Sequence, residues 1–110
     1  MSFQKHIRLA LHTRFLKSYS RMPKEIQKKT QDFLKDFKTK ATSNSVNYEP
    51  ISTFKDAQMR TCRITDKYRI IIRQPEEGNL YLILWVDNHD EAMQWAENKV
   101  VHPNEHNPAI

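Results

Sequence analysis

Lys67-Tyr68-Arg69-Ile70-Ile71-Ile72-Arg73 is the stretch on which the fold turns. Three consecutive β-branched residues suit a pleated strand, because their stiff side chains pack well on its surface. Side chains alternate along a strand, so Tyr68, Ile70 and Ile72 share one face and Arg69, Ile71 and Arg73 the other. The first set suits a helix-covered core. The second puts two arginines on an open face, which Ile71 between them marks as partly covered or used.

Working outward, strand-like runs flank this segment at about Met59–Thr65 and Leu80–Val86. The turn before it centres on Asp66. The turn after it is Pro75-Glu76-Glu77-Gly78-Asn79, where Gly78 can take a positive φ. Such short links predict an antiparallel meander. Asn88 then stands as the N-cap of a last helix, with Glu91 three residues on to answer it and Trp95 packing back on the sheet.

Upstream, His6-Ile7-Arg8-Leu9-Ala10-Leu11 has the period of a half-buried strand. Thr13 is the expected cap of a short helix carrying Phe15, Leu16 and Tyr19. Pro23 suits the first turn of a second helix, in which Ile26, Thr30, Phe33, Leu34 and Phe37 recur at helical spacing. Lys24, Lys28, Lys29 and Lys35 take its outer side. Ala41 to Asn47 reads as a polar loop, and Tyr48 to Lys55 as irregular chain anchored by Tyr48, Ile51 and Phe54. The expected order is β-α-α-β-β-β-α: an α+β fold with a helical hairpin packed on a curved, mainly antiparallel four-stranded sheet. Residues 1–101 form the expected domain, and 102–110, with two prolines and no periodicity, an extended or mobile tail.

A chain of 110 residues is one domain's worth. A single Gly excludes Gly-rich phosphate loops and dinucleotide fingerprints. The lone Cys62 cannot form an internal disulfide, no apolar run reaches a membrane span, and the polar start is no signal peptide, so the expected setting is cytoplasmic. His102 and His106 are separated by Pro103 and lack companion ligands, so no metal and no cofactor is expected. Eighteen Lys and Arg against 13 Asp and Glu give a net charge of +5, which favours RNA, DNA or an acidic protein as partner.

The layout, with Tyr68-Arg69 opening a β-branched strand and a hairpin reading Phe15-Leu16-Lys17 and Met22-Pro23-Lys24-Glu25-Ile26-Gln27-Lys28, resembles the RelE/ParE toxin superfamily over about His6 to Lys99. A narrower likeness joins Asn47-Tyr48-Glu49, Arg60-Thr61-Cys62-Arg63-Ile64, Leu84-Trp85-Val86-Asp87-Asn88-His89-Asp90-Glu91-Ala92 and Trp95-Ala96. It resembles RelE-like domains found alone or at the front of superfamily-1 helicase-like proteins. Asn107-Pro108 looks like the start of the linker seen there.

What the resemblance implies is a toxin of a bacterial type II toxin–antitoxin system that cuts mRNA at the ribosome and is neutralised by a cognate antitoxin. That chemistry uses the ribose 2′-OH against its own phosphate, so it needs a proton acceptor, cations on the phosphate and a donor to the leaving oxygen. Arg69 falls at the family's strand arginine and Arg60 at a cationic position of the preceding strand, whereas Cys62 replaces a cation there. His89 falls where a family arginine contacts the scissile phosphate, and a His there can serve as acid or base. Arg69, His89 and Arg60 are thus the implied catalytic set. Arg63, Lys67, Arg73 and Trp85 are the candidates for RNA binding, the last by stacking on a base. Each also has a plainer reading. The arginines can be ordinary solvent-facing strand positions, Asp87-Asn88-His89-Asp90 a capping turn, and Trp85 a cover for the sheet. Two other functions stay open at this point: a non-catalytic module docking on a helicase or nucleic acid, and ParE-like inhibition of gyrase.

Overall fold

The computed structural model describes residues 7–40, 49–50, 55–97 and 99. Strand β1 (Arg8–Leu11) leads into α1 (Thr13–Ser20) and α2 (Lys24–Lys40). After β2 (Glu49–Pro50) come β3 (Met59–Arg63), β4 (Tyr68–Arg73), β5 (Leu80–Asn88) and α3 (His89–Glu97). The sheet order is β1-β5-β4-β3-β2. The β3–β4–β5 meander is antiparallel, and β1 lies parallel to β5, with Leu9 opposite Tyr81 and Ala10 opposite Leu82. The α+β layout and the four main strands match the expectation; the two-residue β2, within the segment read as irregular, adds a short edge beside β3. The polar loop at 41–47, the anchors Tyr48, Ile51 and Phe54, and the tail at 102–110 lie outside the described residues.

Ile70, Ile71 and Ile72 are all fully buried, so β4 is covered on both faces. On one face Ile70 and Ile72 join Leu9, Phe15, Phe33, Phe37, Cys62 and Val86 beneath the helical hairpin. On the other, Ile71 joins Ala10, Met59, Leu82 and Leu84 beneath Ala92 and Ala96 of α3. The open face of the sequence reading is therefore roofed over much of its length by the last helix. Burying each of these isoleucines contributes about 1.5–3 kcal/mol.

One irregularity re-aims β5. Ile71 pairs with Trp85 but Ile72 pairs with Ile83, so Leu84 is an extra residue in the ladder. Strict alternation would put Leu84 and Trp85 on opposite faces; the bulge puts both on the α3 side. Trp85 consequently meets Trp95 of α3 as a parallel stack, with centroids 4.9 Å apart and planes 9° from parallel.

The ends of the elements follow local chemistry. Asn88 caps α3, its Oδ1 accepting from the Glu91 amide at 3.0 Å. The cap of α1 is His12 rather than Thr13: its Nδ1 accepts from the Arg14 amide at 3.0 Å, while Thr13 is already helical. Pro23 stands just before α2, and its carbonyl accepts from the Gln27 amide. Ser18 pins α1 to the sheet, its hydroxyl donating to the Phe15 carbonyl and accepting from the Val86 amide, both at 3.0 Å. Gly78 takes φ +84°, the left-handed turn position its lack of a Cβ allows.

Tyr81 packs edge-on against Phe37, with ring centroids 5.4 Å apart. Burial raises its phenol pKa above the ordinary value of 10.0. The folded state thus holds this proton more tightly than the unfolded chain, whose tyrosine ionises first as pH climbs. The stabilisation is complete below about pH 10 and is lost above it. In urea melts between pH 9 and 12, Tyr81→Phe is expected to lose stability less steeply than the parent; parallel curves would refute the effect.

Candidate nucleic-acid site at the end of the sheet

Strand register places the candidate residues. Arg63, Arg69 and Asp87 lie side by side across β3, β4 and β5. Side chains along such a row and two residues away share a face, so this row adjoins Thr61, Ile71 and Trp85 on the α3 side. The His89 amide donates to the Lys67 carbonyl at 2.7 Å, which fastens the β3–β4 turn to the first residue of α3. One corner of the molecule thereby gathers Arg63, Lys67, Arg69, Trp85 and His89.

Within this corner Arg69 is half-buried, and its Nη1 donates to the carbonyls of Thr65, Asp66 and Tyr68 at 2.7, 3.2 and 3.1 Å. Arg69 therefore ties its own turn together. A guanidinium has five donors, and among the described residues only Nη1 makes these bonds, so a fork remains for an external oxyanion. Arg63 is half-exposed and lies 3.8 Å from the exposed Asp66 carboxylate, a contact that solvent weakens to about 0–1 kcal/mol. Exposed His89 puts Nδ1 3.1 Å from Asp90 Oδ1. With the Nδ1 proton donated to the carboxylate, Nε2 carries the lone pair and is the ring atom available to a substrate. Asp87 and Asp90 flank the imidazole in sequence, and the structure pairs it with Asp90. The structure commits Asp87 elsewhere, accepting from Trp85 Nε1 at 3.3 Å and from the Asn88 amide at 2.8 Å.

Two candidates fall away from this corner. Arg60 is in register with Ile72 and Ile83, on the hairpin side of the sheet, and its Nη1 is bonded to the Ala57 and Met59 carbonyls at 2.8 and 2.7 Å. Arg60 and Arg63 are three positions apart, an odd offset, so the pleat sends them to opposite faces. Cys62 shares the Arg60 face and is fully buried in the core. Arg73 shares the Arg69 face, but four residues along the strand puts it about 13 Å away. It is not on an open face as the alternation suggested. Its Nε lies 3.0 Å from Asp56 Oδ2 in a buried ion pair, and Nη2 lies 3.5 Å from the exposed Glu76. Beyond it, Pro75, Leu80 and Leu82 line a shallow cleft of about 240 Å³.

Trp85 and Trp95 are half-buried, and Lys99 Nζ sits 5.6 Å from the centre of the Trp95 ring. Trp85 thus covers the sheet, and through Trp95 it also holds α3 in place. Thr61 adds a feature that sequence reading did not find: its Oγ1 is buried beside this row with no hydrogen-bond partner among the described residues. Among the described residues no three His, Cys, Asp or Glu side chains converge as metal ligands do, and no helix is long and apolar enough to cross a membrane.

No family model and no curated protein matches the sequence. Solved structures do match the fold. The RelBE2 toxin–antitoxin complex of Mycobacterium tuberculosis aligns with TM-score 0.65 at 18% identity, over 81% of this chain and 98% of that one. The archaeal RelE–RelB complex of Pyrococcus horikoshii OT3 gives 0.63 at 17%, over 79% and 99%. A YoeB/ParE toxin from Agrobacterium tumefaciens gives 0.62 at 19%, over 76% and 99%. The chain has the fold of the RelE/ParE toxins, as its strand and hairpin motifs led one to expect.

Two substitutions check the assignment of side chains that only support the corner. Arg73→Met removes the guanidinium from the buried Asp56 carboxylate and is expected to cost about 3–5 kcal/mol in denaturant melts. Adding Asp56→Leu should recover most of that loss; no recovery would mean the pair is not the source. Thr61→Val removes an unsatisfied hydroxyl at constant shape and should be neutral or stabilising; a loss above about 1 kcal/mol would show that the hydroxyl is used.

Proposed function

We propose that this chain is the toxin of a type II toxin–antitoxin pair, and that it acts as an endoribonuclease on mRNA at the ribosome. The observation that carries the reading is the corner itself: Arg63, Lys67 and Arg69 stand beside an imidazole whose Nδ1 is held by Asp90. The likeness to structures of RelE–RelB complexes supports an antitoxin of the RelB kind as the partner.

The reaction is internal transesterification. His89 Nε2 accepts the 2′-OH proton while the 2′-oxygen attacks its own phosphorus. The bond from phosphorus to the 5′-oxygen breaks, the 5′-oxygen takes a proton from the imidazolium or water, and a 2′,3′-cyclic phosphate remains. The remaining fork of Arg69, with Arg63 and Lys67, holds the phosphate oxygens as negative charge builds on them. Arg60 is left out of this scheme because it faces the hairpin side. Arg73 is left out because Asp56 engages it.

A second reading has its own observation. Asp66, Asp87, Asp90 and Glu91 bring four carboxylates to a corner with three Lys and Arg, and Cys62, at a position the family fills with a cation, is sealed in the core. Acids beside a scissile phosphate repel it, which favours a domain that binds without cutting. Docking on a helicase-like protein or inhibition of gyrase are forms this takes.

The test is to incubate purified protein with mRNA, with and without ribosomes, and to map the ends formed. Arg69→Ala and His89→Gln are each expected to lower the cleavage rate by about 10²- to 10⁴-fold, and the product should carry a cyclic phosphate. Absence of cleavage in both conditions, with Arg69→Ala as toxic to cells as the parent, would refute the nuclease reading. Inhibition of supercoiling in a gyrase assay would then identify the other target.

A further inference from the structure

The net charge of +5 is not spread over the molecule. Residues 1–24 contain six Lys and Arg (Lys5, Arg8, Arg14, Lys17, Arg21 and Lys24) and no Asp or Glu. The remaining residues hold twelve Lys and Arg against all thirteen acids, a net of −1. The positive excess therefore lies in the first forty residues, eleven Lys and Arg against three acids, and within it β1 and α1 carry no acid while α2 interleaves three acids with six lysines. It does not come from the corner described above, where four carboxylates offset three cations.

The fold turns part of this excess into a surface. Arg14, Lys17 and Arg21 are three and four residues apart, so on α1 and its C-cap they line one face, neighbours about 5–6 Å from one another. All three are exposed, and among the described residues none takes part in an ion pair. The contrast is α2, where Lys29 pairs with Glu25 at 3.5 Å and Asp32 and Asp36 are interleaved with the lysines. The inner side of α1 is spent on the sheet through Phe15 and Ser18, and Leu16 is the one large apolar side chain it exposes, too little to enter a lipid surface. The stripe is about 10 Å long, commensurate with roughly three successive phosphates of one strand.

We propose that the Arg14–Lys17–Arg21 stripe is a docking surface for the phosphate backbone of structured RNA, separate from the corner and indifferent to base sequence. This rests on the reading of RNA as partner, but it assigns attraction and chemistry to different faces. The stripe supplies affinity and its salt dependence; the corner supplies contacts to one phosphate.

The test uses a fluorescein-labelled RNA hairpin and fluorescence anisotropy at increasing KCl. Each lost phosphate contact lowers the slope of log affinity against log salt by about 0.7–0.9. The triple variant Arg14→Gln, Lys17→Gln, Arg21→Gln is therefore expected to flatten the slope by about 2 to 3, and Arg21→Gln alone by about 1. The charge-matched triple Lys28→Gln, Lys29→Gln, Lys35→Gln should change it by less than 1. Equal effects from both triples, or none from the first, overturn the proposal. So does tighter binding to phosphatidylserine vesicles than to the hairpin. All three α1 positions are exposed, so circular-dichroism melts of the variants should stay near the parent's. Cleavage of a short oligoribonucleotide reports the corner alone. If the parent cuts nothing yet the slopes behave as stated, the docking surface stands and the nuclease reading falls. The reverse pattern overturns the stripe and leaves the nuclease reading intact.

Discussion

Everything else in this molecule depends on the burial of β4 from both sides. Ile70, Ile71 and Ile72 are consecutive, so their side chains alternate in direction, yet none is exposed. A strand with that property needs a layer above and a layer below. The hairpin of α1 and α2 provides one, with Phe15, Phe33 and Phe37 over Ile70 and Ile72. The other comes from α3, with Ala92 and Ala96 over Ile71. Small alanines let the last helix come close, and the helix in turn fixes where its first residue, His89, must stand. Core packing and the geometry of the corner are thus one constraint.

That constraint is completed by an irregularity. Without the bulge at Leu84, strict alternation would send Trp85 to the hairpin side, where it could not meet Trp95. With it, Leu84 enters the α3 core and Trp85 anchors α3 through a stack worth about 0.5–1.5 kcal/mol beyond burial. The Lys67 carbonyl then accepts from the His89 amide and closes the same corner from the turn side. A cation row, a histidine and an aromatic pair are therefore positioned by one ladder defect, one cap at Asn88 and one main-chain bond.

Charge is handled differently in different parts of the fold. The buried Arg73–Asp56 pair is local and self-compensated, so it contributes nothing to attraction at a distance. The corner mixes cations with carboxylates, which suits orientation of a single phosphate more than capture of a polymer. The positive excess lies in residues 1–40, where eleven Lys and Arg face three acids; α2 interleaves its lysines with those three acids, whereas β1 and α1 carry no acid at all.

Much of this was legible in the residues alone. A period of two marked β1, helical spacing marked the hairpin, and Asn88 with Glu91 marked the start of α3. Tyr68-Arg69-Ile70-Ile71-Ile72 identified the central strand, and the fold resemblance it carried agrees with the solved structures that share the fold. Such signals are local: each depends on a side chain and its neighbours a few residues away. What local pattern could not settle was which face a residue serves once a strand departs from strict alternation, and what lies over it. Arg60 and Arg63 read as companions but stand on opposite sides of the pleat. Arg73 read as solvent-facing but meets Asp56, seventeen residues away in sequence. Trp85 reached its place through a bulge that no residue type announces. Composition and periodicity thus determined the elements and their order. Only the tertiary structure decided which charges are spent within the protein and which are left for a partner, because pairing across strands depends on register and on what the last helix covers.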